Sequence, residues 1–157
     1  MVHKPNHRVH SFRGLLADGG QDEINLERSN VNLAYRIVKF QVINRNVGAT
    51  AAESAVKIWK ESQSSIDNIV DFGNPDLLGA AYYQDSTSSA EASSVDIIFG
   101  NKIFSRNIYV TSAGTVQTAD MNYYIELEEV PVSAATLMQL KLGVARKLNL
   151  SESAPDA

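Results

Sequence analysis

Met121-Asn122-Tyr123-Tyr124-Ile125-Glu126-Leu127-Glu128-Glu129-Val130-Pro131 is the stretch on which the reading of the fold turns. Tyr123, Ile125 and Leu127 recur at period two, with Tyr124, Glu126 and Glu128 between them, which predicts a half-buried strand with an acidic outer face. Pro131 can neither donate to a sheet ladder nor continue a helix interior, so the strand stops there. Ser133 then stands at an N-cap position ahead of Ala134-Ala135-Thr136-Leu137-Met138-Gln139-Leu140. The spacing predicts a helix to Leu148 whose apolar stripe is Leu137, Leu140, Val144 and Leu148. Lys141, Arg146 and Lys147 load its last turns with the charge that a helix C-terminus favours.

Working outward, Leu33 to Ile43 is dense in β-branched and aromatic residues and is expected to be a central strand, with Val38, Phe40 and Val42 as its apolar face. Ala55 to Lys60 is expected to turn Val56 and Ile58 inward and Trp59 outward with Lys57, leaving Trp59 on a surface that something covers. Leu77 to Gln84, Val95 to Phe99 and Ile103 to Thr111 read as further strands. His10 to Ala17 and Glu23 to Glu27 flank the turn signal Asp18-Gly19-Gly20 and are expected to form a hairpin or two neighbouring edge strands. Ser62 to Asp76 reads as an excursion with one helical turn, since Ile66, Ile69 and Val70 have helical spacing and Gly73-Asn74-Pro75 ends it. Asp85 to Ser94 has no large apolar residue and reads as a surface loop.

Seven or eight short strands and one terminal helix point to a mainly β chain: an antiparallel β-sandwich, or jelly-roll-like domain, with a C-terminal α-helix. The expected organisation is an extended N-terminal arm over 1–13, a sandwich over 14–130, the helix over 131–148 and a flexible tail over 149–157. At 157 residues the chain fits one domain. Its apolar runs are far short of a membrane span, and the first ten residues lack the apolar stretch of a signal peptide, so no membrane partner is expected.

Net charge is −4, unevenly placed: Lys4, Arg8 and Arg13 precede any acidic residue, so the arm carries +3 and the rest −7. An acidic body repels a phosphate backbone, which argues against nucleic-acid binding by the domain. Absent cysteine, disulfides, thiolate metal sites and cysteine nucleophiles are excluded. All three histidines, His3, His7 and His10, lie in the arm, where Pro5 opposes a metal-binding helix. Glu126 and Glu128, and Asp71, Asp76 and Asp96, are the only carboxylate groupings of interest; outward acids on a strand are ordinarily a solvated face. No Gly-x-Ser-x-Gly occurs. No catalytic residue, metal or cofactor is therefore expected. Tyr82, Tyr83, Tyr109, Tyr123 and Tyr124 suit core or interface use, or a sugar-binding surface.

Two blocks carry a resemblance. Ile98-Phe99-Gly100-Asn101-Lys102-Ile103-Phe104-Ser105-Arg106-Asn107-Ile108-Tyr109-Val110-Thr111 with Asn122 to Glu128, and Tyr35 to Val42 with Val56-Lys57-Ile58-Trp59-Lys60, resemble a pattern of small virion structural proteins of marine tailed bacteriophages; the two blocks and their surroundings cover about half the chain. The resemblance implies a non-enzymatic β-sandwich building block of a virus particle. The expectation drawn from it is a capsid decoration (cement) protein on the outer surface of the major capsid shell, with the major capsid protein as partner and a homo-oligomer, a trimer favoured. Lys4, Arg8, Arg13, Trp59, Leu137, Leu140 and Val144 are the expected partner-binding residues. The alternative is a tail-associated receptor-binding or glycan-binding sandwich that uses Tyr82, Tyr83 and the serine-rich loop.

Overall fold

The computed structural model of the chain describes residues 9–26, 32–48, 51–85, 92–115 and 118–140. Lys4, Arg8, Val144 and the expected tail lie outside the described residues. Eight strands follow in order: β1 (Val9–Leu16), β2 (Gln21–Ile24), β3 (Leu33–Asn44), β4 (Ala52–Trp59), β5 (Leu77–Asp85), β6 (Ala92–Ile98), β7 (Ile108–Gly114) and β8 (Met121–Pro131). They form two antiparallel sheets, a three-stranded one ordered β1-β8-β3 and a five-stranded one ordered β2-β7-β4-β5-β6. The mainly β, two-layer architecture is the expected one. The pairs β1–β8, β2–β7 and β4–β5 are the nested pairs of a jelly roll. The winding departs from it in one place: β6 pairs with β5 instead of with β3.

The core lies between the sheets. From the three-stranded sheet come Ile37, Phe40, Tyr123, Ile125 and Leu127; Val56, Ile58, Ala81, Ile108 and Val110 face them from the other, all buried. Fully burying a side chain of this size stabilises the fold by roughly 1.5–3 kcal/mol. The alternation expected of β8 is present along its length, and β8 is the middle strand of its sheet. Ser133 caps the helix α1, described over 134–140: its Oγ accepts the Thr136 N–H at 3.1 Å and its carbonyl accepts the Leu137 N–H at 2.9 Å.

Several expectations are corrected. β3 is an edge strand, and its register shifts between Ile37 and Lys39. That bulge at Val38 resets the alternation, so Tyr35, Ile37 and Phe40 all point inward while Val38 and Lys39 are exposed. A strict period of two cannot represent such an inserted residue. Of the two alternatives for β1 and β2 the structure has the neighbouring edge strands and not the hairpin, because the turn through Gly19, at φ 77°, carries the chain from the edge of one sheet to the edge of the other. There the Gly19 N–H donates to the Ser112 carbonyl at 2.7 Å. Residues 103–107 make one bridge to β3, Phe104 with Tyr35, before β7 begins at Ile108. β1 already begins at Val9, so Arg13 is a strand residue and not part of a free arm.

The Tyr123 side chain ties the layers at the β1 side. Gly14 and Tyr123 are register partners, and a Cβ on Gly14 would lie 2.6 Å from the Tyr123 ring. The absent side chain lets the ring cross β1, where its hydroxyl donates to Asp22 Oδ2 on β2 at 2.8 Å. Burial, with the adjoining Asp22 carboxylate, pushes the Tyr123 phenol well above its ordinary value. An acid held protonated in the folded state adds stability that is complete below the ordinary tyrosine value of about 10 and is lost as pH rises beyond it. Gly14→Ala is therefore expected to cost about 1–3 kcal/mol in urea melts. Tyr123→Phe is expected to cost about 1 kcal/mol at neutral pH and to make the alkaline fall in stability above about pH 10 shallower, as followed by circular dichroism.

Candidate partner-binding surfaces

The outward face of β4 carries Lys57 and Trp59, as alternation requires, yet both are buried, at 2% and 7% exposure. Their cover is the segment 60–76, which is irregular throughout and contains no helical turn. Short polar side chains shape it instead: Asp67 Oδ1 accepts the Ile69 N–H, Asp71 Oδ1 the Gly73 N–H and Asn74 Oδ1 the Asp76 N–H. The segment is anchored from beneath. Lys57 Nζ donates to Asp67 Oδ1 at 3.0 Å and to the Ile69 carbonyl, and stands 5.1 Å from the Trp59 ring centre. Trp59 Nε1–H donates to Thr111 Oγ1 at 2.9 Å. Gln21 reaches the same segment from β2, its Oε1 accepting the Gln63 N–H at 2.8 Å.

This clamped segment turns apolar side chains outward. Ile69 is 66% exposed, Val70 43% and Phe72 55%. Phe72 sits edge-on to Phe99 with ring centres 5.2 Å apart, and Lys102 Nζ donates to the Pro75 carbonyl at 2.9 Å, so the far side of the segment is held as well. Beside it, Tyr82 on β5 and Val95 on β6 are register partners on the same sheet face, both exposed, with Ile97 one step along.

A second feature lies where the three-stranded sheet meets β6 of the other sheet. A cleft of about 800 Å³ is lined by three consecutive residues from each of four strands, Arg13 to Leu15, Asn122 to Tyr124, Gln41 to Ile43 and Ser94 to Asp96. By alternation Arg13, Tyr124 and Gln41 form one row of side chains across its floor and Leu15, Asn122 and Ile43 the next. The Tyr124 hydroxyl donates to Glu126 Oε2 at 2.8 Å, and that bond raises its phenol above the ordinary value.

The expected partner residues are thus dispersed. Arg13 lies on the cleft and Trp59 beneath the clamped segment. Leu137 is half-buried, and Leu140 faces a cavity of about 50 Å³ beside Lys60 and residues 103–107 of its own domain. Tyr82 is outward, but Tyr83 is buried in the core. Glu128 pairs with Arg36 at 3.2 Å on the outer face. His10 belongs to β1, not the arm, and its Nε2 is 2.7 Å from Glu129 Oε2. Among the described residues no cluster of three histidine, aspartate or glutamate side chains is arranged to hold a metal ion.

The anchoring role of Lys57 was not anticipated from the sequence. Its signal was a lone lysine inside the apolar run Ala55-Val56-Lys57-Ile58-Trp59. No family model matches the chain, and no curated protein matches it.

Asp67 is held below the ordinary carboxylate range by the bond from Lys57. A depressed acid contributes stability above its ordinary value of about 3.9 and loses it as pH falls through and below that value. Asp67→Ala strands a buried ammonium and is expected to destabilise by about 1–2 kcal/mol, discounted because the carboxylate is half-exposed. Lys57→Met fills the same space without charge and is expected to stay within about 1 kcal/mol of the parent. Trp59 is the only tryptophan, so its emission should shift red in Asp67→Ala and in the parent below about pH 4, and not in Lys57→Met.

Proposed function

We propose that this chain is a non-enzymatic structural protein of a tailed-phage virion, most specifically a decoration (cement) protein seated on the outer surface of the major capsid shell. The observation that carries the reading is the clamped segment 60–76. Lys57 and Gln21 hold it from below, yet Ile69, Val70 and Phe72 point to solvent. Ordering a surface segment while leaving large apolar groups uncovered is a cost that contact with another protein offsets. The resemblance of the strand blocks to small phage virion proteins supplies the kind of partner, and the basic residues Lys4 and Arg8 ahead of an acidic body add a second contact suited to an acidic shell surface.

A specific observation favours a second reading, the tail-associated glycan-binding module. The cleft on the three-stranded sheet offers a guanidinium from Arg13, amides from Gln41 and Asn122 and a fixed ring face from Tyr124. Hydroxyl-rich ligands use such planar amides and an aromatic face.

Co-sedimentation with purified capsids separates the two. Saturable binding is expected, and Ile69→Ser with Val70→Ser should weaken it at least tenfold, about 1.4 kcal/mol or more, with the melt unchanged. Deleting residues 1–8, which spares β1, should weaken it further and make it less dependent on salt. Binding to glycans that Arg13→Ala abolishes, with no binding to capsids, would replace the first reading by the second.

A further inference from the structure

Ser94 and Asp96 on β6 are register partners of Tyr83 and Ala81, both buried in the core, so their side chains take the inward side of the five-stranded sheet. Both are exposed all the same, so the narrower sheet does not cover them. An inward-pointing carboxylate at the margin of a sheet discourages the addition of a further strand. Here it also borders the cleft, whose floor is the row Arg13, Tyr124 and Gln41 with Asn122 in the row beside it.

The polar side chains around this cleft are unused. Among the described residues Arg13, Gln41, Asn122, Ser94 and Asp96 make no side-chain hydrogen bond or ion pair. Like groups elsewhere on the two sheets are paired: Arg36 with Glu128, Arg45 with Asp120 and Gln84 with Glu53. Opposite charges thus stand unpaired in one cleft, Arg13 on its β1 side and Asp96 on its β6 side. Neighbouring strands lie about 4.8 Å apart, so the row from Arg13 to Gln41 alone spans roughly 10 Å before β6 is reached. An amino acid, whose two charges share one carbon, is too short to meet both. Between them the Tyr124 ring leans along β8, because its hydroxyl donates to Glu126 two residues on.

We propose that the cleft binds an acidic saccharide, a disaccharide-sized sugar that carries a carboxylate. The Arg13 guanidinium takes the carboxylate through two parallel N–H bonds. The C–H face of a sugar ring lies on Tyr124 in the middle of the row, where the floor is aromatic. Gln41 and Asn122 each present a planar amide, donor and acceptor together, which matches neighbouring hydroxyls. Asp96, an acceptor only, and Ser94 receive the hydroxyls at the β6 end. A single cation facing a carboxylate across the cleft leaves no surplus positive charge for a phosphate, whereas one acidic group on a hydroxyl-rich body answers every unpaired side chain there. The inference rests on the glycan reading of the cleft and adds to it the class of sugar and the wall formed by β6; it does not depend on where in a particle the chain sits.

Isothermal titration of the full chain with digalacturonic acid and with its neutral counterpart, digalactose, tests this. The acid is expected to bind about tenfold more tightly than the neutral sugar. Arg13→Gln should remove that preference and leave the two sugars equal, and Arg13→Lys, a point charge without the paired donors, should restore only part of it. Asp96→Ala should weaken the acid by about threefold or more through the lost acceptor. Both side chains are exposed and unpaired, so the melts of these variants should match that of the parent. Equal binding of the two sugars by the parent, lost in Asp96→Ala, would overturn the acidic class and leave the glycan reading standing. No binding of either sugar at millimolar concentration, or binding that survives both Arg13→Gln and Asp96→Ala unchanged, would overturn the proposal together with that reading.

Discussion

The inward face of β8 is the contact on which the rest of the molecule depends. Tyr123, Ile125 and Leu127 alternate into the core, and β8 is flanked on one side by β1 and on the other by β3. Pairing the closing strand with both the first and the third joins distant parts of the chain, so the three-stranded sheet has no local hairpin to hold it. Its stability comes from side chains meeting the other sheet. The Tyr123 hydroxyl on Asp22, reached over Gly14, adds a polar tie at the margin where the layers would otherwise part.

From that small sheet follows the character of the surface. Three strands cannot cover five, and the difference appears as exposed β6 at one margin and a cleft where the two widths diverge. The opposite face of the five-stranded sheet has a different solution. There an irregular segment without helix lies over Lys57 and Trp59, held by an ammonium that is itself out of water. An amine in that position needs acceptors, and the Ile69 carbonyl and Asp67 provide them, which explains why a segment so poor in regular structure is well defined.

The outward-facing groups proposed to meet a partner lie outside the core and on different elements. Residues 69–72 belong to a connection, and Arg13 and Asn122 to two strands of one sheet. Such a distribution keeps these outward groups separable from the residues that hold the fold.

Much of the fold was legible in the residues. The two-layer β class, the period-two face of β8, the stop at Pro131, the Ser133 cap and the outward turn of Trp59 rest on alternation, ring geometry and local hydrogen bonding, which a chain expresses within a few residues. Tertiary structure alone decided the rest. The bulge at Val38 reset which side of β3 is buried, because one extra residue reverses every later side chain. β3 became an edge and β8 a centre, since pairing among distant strands has no local mark. Lys57 became an anchor only when a connection lay over it, and β6 became a free edge only because the other sheet is narrower. Periodicity states which face of a strand avoids water; what covers that face, and which edge is left open, is settled by the packing of segments far apart in the chain.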